Sequence, residues 1–262
     1  MNTSEFSAIC KTVHTMHNVH HGYKDIIFHP ATRTFDPEEE AMIETTWNTL
    51  VAEKKVRGNS QLVALYPDKT IREESELHVT GYKTDYKHYK ATLEHPYLRV
   101  WLTGPSAVVR VFHDNTPTYI FGERKNTTTN TGGPLEFVPG GFLEAAHFDS
   151  SDPFMATLED ELEEETGIPR AYISKSAPFW LGQVRNHYQS RQLSQDVCVD
   201  YMLDIEGISP KEIEERFQAG KREHTALHFI PESQLLSFAE SNLLRFNTRG
   251  RCSLEHLFAY KS

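Results

Sequence analysis

The stretch DPFMATLEDELEEETGIP, residues 152–169, decides the fold of this chain because it contains a helix with both ends marked. Asp152 can cap the first turn, since its carboxylate can accept hydrogen bonds from backbone N–H groups that lack a helical partner. Pro153 suits the first helical position, where its missing N–H costs nothing. Gly167 suits the left-handed residue after the last turn, and the proline two residues later cannot continue the helix. The stretch therefore predicts a helix that begins at Pro153 and ends at Thr166.

This predicted helix carries an apolar stripe beside an acidic arc. Three residues form the apolar stripe that should face the core: Met155, Leu158 and Leu162. At 100° per residue they lie within about 60° of one another, whereas Glu161, Glu164 and Glu165 occupy a neighbouring arc of about 100°. Like charges at this spacing cost roughly 0.2–0.5 kcal/mol per pair on an isolated helix, and no Lys or Arg within the helix relieves them. A hard divalent cation such as Mg²⁺ would relieve them, because it prefers carboxylate oxygens. The alternative is a solvated acidic surface.

The segment before the helix favours the metal-binding interpretation. A short predicted strand, residues 135–138, ends in Pro139-Gly140-Gly141, and a loop leads from there to the helix. Adjacent glycines let the backbone approach a ligand closely, because they carry no side chain. A glycine turn beside three carboxylates therefore predicts a site for a divalent ion.

The chain divides into two predicted units. Residues 1–92 form an irregular N-terminal extension of mixed α+β character, which we expect to complete the substrate pocket. Residues 93–262 alternate strands and helices with short connections, which predicts an α/β sandwich with a mixed sheet. The predicted helices cover residues 37–50, 153–166, 211–219 and 253–260, and the predicted strands cover residues 62–66, 107–112, 119–121, 135–138, 197–205 and 226–230.

Composition limits the classes of function. The formal net charge is -10 and no long Lys/Arg run occurs. This disfavours a nucleic-acid partner, because binding to the phosphate backbone of DNA or RNA needs clustered cations. Three widely separated cysteines are typical of a reduced, cytoplasmic protein. No secretory signal is visible and no apolar run approaches the roughly 20 residues that span a bilayer, so no membrane partner is expected. The histidines between His14 and His21 match no closed zinc site. The choice between monomer and homodimer stays open.

The acidic helix and glycine turn resemble the Nudix box, G-x5-E-x7-R-E-U-x-E-E-x-G-U, where U is a bulky aliphatic residue. Residues 161–168, ELEEETGI, match its second half. Asp160 stands where the box has arginine, Asp152 stands at the earlier glutamate, and the loop after Gly141 is about five residues longer. The resemblance implies a Nudix-type α/β/α sandwich whose Mg²⁺ (or Mn²⁺) ligands are carboxylates: Glu161, Glu164 and Glu165. It also implies that the carbonyl of Gly140 completes the metal site.

Several further segments resemble one atypical branch of this family, the UDP-glucose/UDP-galactose pyrophosphatases. The branch also departs from the box in its first half and at the arginine. The similar segments occur in order at residues 57–59, 84–92, 138–141, 181–186 and 223–230. The resemblance implies Mg²⁺-dependent hydrolysis of the diphosphate bond of a UDP-sugar to UMP and a sugar 1-phosphate.

Residues outside the box are also candidates for the site. Glu223 lies just before a predicted strand, where many Nudix enzymes hold a further glutamate, and is a candidate catalytic residue beside the helix carboxylates. Five residues are candidates for contacts with uracil or phosphate: Tyr86, Lys87, Arg124, Arg185 and Asn186. For each of them, ordinary packing or surface charge is the alternative.

Two alternatives to UDP-sugar hydrolysis stay open. The chain could hydrolyse another nucleoside diphosphate derivative, such as ADP-ribose, coenzyme A or an RNA cap, although the acidic balance disfavours the cap. It could also be a catalytically silent Nudix domain that binds a nucleotide or a protein, because the box arginine is missing. The three glutamates at the box positions argue against such a loss of activity.

Overall fold

Strands from both predicted units join one mixed sheet. A computed structural model describes residues 14–21, 23–56, 58–113, 116–124, 134–186, 195–220 and 223–261. Within these residues the strands are β1 (His14–His21), β2 (Asp25–Ala31), β3 (Gln61–Leu65), β4 (Ile71–Glu73), β5 (Glu76–Asp85), β6 (Trp101–His113), β7 (Thr116–Arg124), β8 (Leu135–Phe137), β9 (Ile173–Asn186), β10 (Gln195–Ile205) and β11 (His224–Pro231). The helices are α1 (Pro37–Ala52), α2 (Tyr86–Glu94), α3 (Pro153–Thr166), α4 (Pro210–Ala219), α5 (Leu235–Asn242) and α6 (Thr248–Lys261).

The strand order across the sheet is β1-β9-β10-β6-β3-β5-β2. A second branch leaves β6 through β7, which pairs with β8 and β11, and β4 pairs with β5. The β10–β6 and β2–β5 pairs are parallel, and the other pairs are antiparallel. Two strand pairs link the two predicted units: β1 pairs with β9, and β3 pairs with β6, where Ala64 lies opposite Leu102 and Leu65 opposite Trp101. The division at residue 92 stays a prediction.

Two apolar layers cover the two faces of the sheet. Strand β10 shows why, since alternate residues of a strand point to opposite faces: Val199 and Leu203 pack in one layer, and Cys198 and Met202 in the other. The first layer contains the buried side of α3 and of α4, and the second contains the buried side of α5 and of α6. The predicted α/β class with a mixed sheet between helices is therefore confirmed.

Helix α3 has the predicted bounds, Pro153–Thr166, because its end signals are local. Asp152 Oδ1 accepts a hydrogen bond from the Met155 N–H at 2.9 Å. Gly167 has φ = 80°, the left-handed region that favours glycine. Leu158 and Leu162 are fully buried and Met155 packs partly buried against the same layer, so the predicted apolar stripe is confirmed.

Several elements of the structure were not predicted, chiefly β2, β5, β9, α2 and α5. Strand β5 contains Glu76, His78 and Lys83 on its less buried positions, and its glycine weakens the strand pattern further. Predicted strands were also too short, since β6 covers residues 101–113 rather than 107–112. Among the described residues, no helix has both the length and the apolar character required to cross a membrane.

Candidate active site

The glycine segment, residues 139–143, lies between β6 and β3 and is hydrogen bonded to both. On one side, the Gly141 N–H donates to the Pro105 carbonyl at 3.2 Å, and the Leu143 N–H donates to the Thr103 carbonyl at 2.9 Å. On the other side, the Val63 N–H donates to the Leu143 carbonyl at 2.8 Å. These hydrogen bonds hold the segment in an extended conformation between the two strands. Leu143 is consequently fully buried, and its neighbours Phe142 and Glu144 are exposed.

The close approach of this segment to β6 depends on Gly104. A Cβ added to Gly104 would lie 1.9 Å from the Gly141 carbonyl oxygen and 2.8 Å from the Phe142 Cα, so backbone would have to move. We expect Gly104→Ala to lower the free energy of unfolding by about 1–3 kcal/mol or more, measured by urea denaturation. Gly58→Ala is the control, because its Cβ would meet nothing within 4 Å and should cost less than about 0.5 kcal/mol. Equal stability of Gly104→Ala and the parent protein would contradict the close packing.

The three glutamates of α3 lie in three different environments. Glu165 is only 4% exposed, and its Oε2 accepts a hydrogen bond from the Gly140 N–H at 3.0 Å. Glu161 is partly buried, and its carboxylate lies against Gly141, where an added Cβ would come within 1.9 Å of Oε1. Glu164 is exposed. The glycine turn and the acidic helix thus lie in contact through Glu161 and Glu165, and the metal-binding role of the three glutamates stays a prediction.

Burial and mutual repulsion dominate the electrostatics of these carboxylates. Burial, together with the charges of Glu164, Glu223 and Glu144, raises the pKa of Glu161 to about 7. Burial and the charges of Glu161 and Glu136 raise the pKa of Glu165 well above its ordinary value, although Arg124 acts in the opposite direction. The negative charge of these glutamates therefore exceeds the positive charge that Arg124 supplies.

Arg124, at the end of β7, connects three of the acidic residues. It forms ion pairs with Glu136, with Glu165 at 3.6 Å and with Glu223 at 3.3 Å. Its guanidinium is about one third exposed, so it lies at the edge of the buried carboxylates rather than in open solvent. This position makes Arg124 a support for Glu165. The predicted contact between Arg124 and a substrate stays a prediction.

Glu136 and His224 form a buried polar layer behind Glu165, and neither was identified from the sequence. Glu136 Oε1 lies 2.8 Å from His224 Nε2, and Glu136 Oε2 accepts a hydrogen bond from Asn247 Nδ2 at 2.6 Å. Burial alone would raise the pKa of Glu136. The hydrogen bond with His224 and the charge of Arg124 outweigh burial, so the pKa of Glu136 lies below its ordinary value. His224 Nδ1 lies 3.9 Å from Glu165 Oε1. The sequence does contain one sign of this layer. Glu136 stands between the apolar residues Leu135 and Phe137, and an acidic residue in an apolar strand needs a polar partner.

A cavity of about 440 Å³ opens beside Glu161. It is lined by residues from both predicted units: Gly58, Ser60, Leu62, Tyr86, Phe142, Glu144 and Glu161. Four of them, Gly58, Ser60, Leu62 and Tyr86, come from residues 1–92, and the contribution of that unit to a substrate pocket stays a prediction. None of these described lining residues is Lys or Arg, so the described part of the cavity wall carries net negative charge.

The other predicted contact residues lie in different places. Lys87 forms an ion pair with Glu44 of α1 and is not among the residues that line the cavity. Glu223 is 69% exposed and faces Arg124. Arg185 and Asn186 end β9, and their side chains lie outside the described part of the structure.

Asp160, which stands at the arginine position of the box, does not face the carboxylate cluster. Its Oδ2 lies 3.1 Å from His147 Nε2, in the long loop between the glycine turn and α3. The cation that contacts Glu165 is Arg124, from a different strand. The structure thus supplies a guanidinium to the cluster despite the change at residue 160.

The donor set agrees with a hard divalent ion. Among the described residues, no group of three or more His, Cys, Asp or Glu side chains is gathered tightly enough to hold a metal by itself. Mg²⁺ needs fewer, because it is usually bound by one or two carboxylates together with waters and substrate phosphates. The Glu161 carboxylate, fitted into the space that a Cβ on Gly141 would fill and repelled by Glu164, provides such oxygen donors.

Comparisons with known proteins find similarity of structure only. No family model and no curated protein matches the sequence. A mutT/nudix family protein from Listeria innocua is 18% identical with a TM-score of 0.39, over 60% of this chain and 92% of that one. The NUDIX domain of Shewanella oneidensis NrtR with ADP ribose is 17% identical with a TM-score of 0.34, over 56% and 85%. A C. elegans Ap4A hydrolase is 8% identical with a TM-score of 0.34, over 58% and 96%. All three TM-scores lie below 0.5.

Proposed function

We propose that this chain is a Nudix-type hydrolase that uses Mg²⁺ to cleave the diphosphate bond of a nucleoside diphosphate derivative, with UDP-glucose and UDP-galactose as substrates. The observation that carries the proposal is the partly buried Glu161, fitted against Gly141 at a cavity whose lining, among the described residues, includes glutamates and no Lys or Arg. Such a wall repels a diphosphate unless a cation is bound with it. The UDP-sugar preference rests on the sequence resemblance.

The residues have separate roles in this proposal. Glu161 and Glu164 would hold Mg²⁺, with Glu165 and the Gly140 carbonyl as the further predicted ligands. When bound, Mg²⁺ supplies positive charge that stabilises the phosphate oxygens as the bond breaks. The Gly140 N–H and Arg124 orient Glu165. Position and electrostatics therefore provide most of the catalysis.

A carboxylate must also take a proton from the attacking water. Glu161 lines the cavity and is the first candidate for this role, through the carboxylate oxygen that does not bind the ion. Glu223, whose charge raises the pKa of Glu161, is the second candidate for this role.

The decisive experiment is a substrate panel with and without Mg²⁺. The protein is incubated with UDP-glucose, UDP-galactose, ADP-ribose and coenzyme A, and the products are separated by chromatography. We expect UMP and a sugar 1-phosphate from the UDP-sugars. Preference for ADP-ribose or coenzyme A would overturn the UDP-sugar assignment. Failure to cleave any diphosphate, with nucleotide binding retained, would support a silent binding domain instead.

Substrate binding itself should require the divalent ion. Because the described cavity lining has Glu144 and Glu161 but no Lys or Arg, we expect the affinity for UDP-glucose to fall at least about 10-fold when Mg²⁺ is removed. Isothermal titration of the parent protein, with a methylene-bridged analogue in place of hydrolysable UDP-glucose, separates binding from turnover. Uridine, which has no phosphate, is the control ligand and should bind with the same affinity in both conditions. Equal affinity for UDP-glucose with and without Mg²⁺ would contradict the role of the ion in binding.

A further inference from the structure

We infer that Phe142 and Tyr86 form an aromatic platform on which the base of the substrate stacks. This inference rests on the proposed function and deepens it, since it requires that the substrate carry an aromatic base near its diphosphate. Both rings line the cavity that contains Glu161. One cavity thus offers aromatic faces together with the carboxylates that would hold the ion for a diphosphate.

Phe142 is exposed for a structural reason. Its side chain is 37% exposed, although a phenyl ring gains free energy by burial. The backbone bonds on both sides of the glycine segment bury Leu143, and this alternation turns the neighbouring Phe142 outward. Among the exposed large apolar residues of the described chain, Phe142 is the one that lines this cavity. An exposed aromatic ring that the backbone holds in a cavity indicates a binding surface.

Tyr86, the first residue of α2, is fixed on the wall of the same cavity by backbone hydrogen bonds. Its N–H donates to the Ser60 carbonyl at 2.9 Å, and the following N–H, of Lys87, donates to Asn59 Oδ1 at 2.9 Å. The buried Tyr89 connects the two cavity rings, because its centroid lies 6.0 Å from that of Tyr86 and 6.2 Å from that of Phe142. The three aromatic residues therefore form one continuous row with its two ends open to the cavity.

The chemistry of this row suits the planar base of a nucleotide. Stacking on an aromatic side chain tolerates any base, since every base has a π-face. The cavity residues Gly58 and Ser60 lie beside the row and can present backbone groups to the edge of the base. The platform thus selects for the nucleoside part, and it leaves the phosphates to the Glu161 side of the wall.

The platform is tested first by kinetics. Truncation in Phe142→Ala should raise KM for UDP-glucose by about 10-fold or more with kcat changed less than about 3-fold, because a base contact stabilises substrate and transition state alike. Leu244→Ala is the matched control, since Leu244 is 75% exposed and outside the cavity, and its KM should not change. Tyr86→Phe keeps the ring and should retain the parental KM, whereas Tyr86→Ala should raise it. Unchanged KM in Phe142→Ala would overturn the inference.

A binding measurement separates this inference from the proposed hydrolysis. The Phe142→Trp variant places an indole in the platform, and UMP with Mg²⁺ should quench the additional fluorescence relative to the parent protein, whereas ribose 5-phosphate should not. If UMP with Mg²⁺ quenched the fluorescence but the protein cleaved no diphosphate, the platform would be supported and the assignment as a hydrolase would be wrong. Hydrolysis of UDP-glucose without any quenching by UMP would remove the platform and keep the enzyme assignment.

Discussion

Replacing Glu161 by glutamine is expected to abolish most of the activity and, at the same time, to stabilise the protein when no metal is bound. Loss of the proposed proton acceptor should lower kcat about 100-fold or more. Glutamine is almost isosteric with glutamate and removes a partly buried charge that Glu164, Glu223 and Glu144 repel. A residue that destabilises the fold but is needed for turnover shows the trade-off between stability and activity that functional sites display.

The stabilisation should depend on pH with a definite sign. In the unfolded chain Glu161 ionises near its ordinary pKa of about 4.3, but in the folded protein its pKa is about 7. Between these values the folded protein binds more protons at this residue, so its stability falls as pH rises. The melting temperature of metal-free Glu161→Gln should therefore exceed that of the parent by roughly a few degrees at pH 8 and approach the parental value below pH 5. Thermal unfolding with EDTA measures both.

Glu163→Gln is the matched control, because Glu163 is exposed on the same helix and is not among the residues that line the cavity. It removes the same charge and should leave kcat within about 2-fold of the parental value and the melting difference independent of pH. If Glu161→Gln kept full activity, or if its stability relative to the parent did not change between pH 5 and pH 8, the proposed role of Glu161 would be wrong.

Arg124→Met should lower the free energy of unfolding strongly. Methionine retains much of the aliphatic stem but leaves Glu165 and Glu136, both largely buried, without the guanidinium that faces them. Removing one partner of a buried ion pair costs about 3–5 kcal/mol, and the partial exposure of Arg124 places the expected loss near the lower end, about 3 kcal/mol. Urea denaturation gives this loss directly. Activity should fall as well, since Glu165 is no longer held toward Gly140.

Arg245→Met provides the comparison for an exposed arginine. Arg245 Nη2 lies 2.7 Å from Glu123 Oε1, but its side chain is 46% exposed, and pairs of this kind contribute about 0–1 kcal/mol. We expect a loss of less than about 1 kcal/mol. Equal destabilisation by the two substitutions would show that Arg124 acts as an ordinary surface charge and not as the support of the buried carboxylates.

The sequence was sufficient for helix α3 because its cap, its apolar stripe and its terminating glycine all lie within eighteen residues of one another. The sequence did not predict how deeply each glutamate side chain is buried. Periodicity places Glu161, Glu164 and Glu165 in one arc, but Glu165 is buried, in contact with the Gly140 N–H and 3.9 Å from His224 Nδ1, while Glu164 is exposed. Burial of this kind depends on contacts between residues far apart in the chain.

The same limit applies to the cation at the cluster. The pattern around Asp160 indicates a missing arginine, and local sequence contains no sign of a replacement. Arg124 reaches Glu165 from β7, and Glu136 and His224 come from β8 and β11. Only the order of strands in the sheet brings these three residues together. Phe142 was missed for a related reason, since its outward direction depends on pairing of the glycine segment with β3 and β6.

The cavity wall is assembled from segments that are separate in the chain, with Tyr86 and the loop before β3 on one side and α3 on the other. If these segments have the roles proposed for them, the choice of ligand and the cutting of the bond can change independently. A library randomised at residues 58–60 and 86 would then vary which molecules are accepted, while every member inherits the same acidic helix. Such a chain offers a starting point for directed evolution of new specificities.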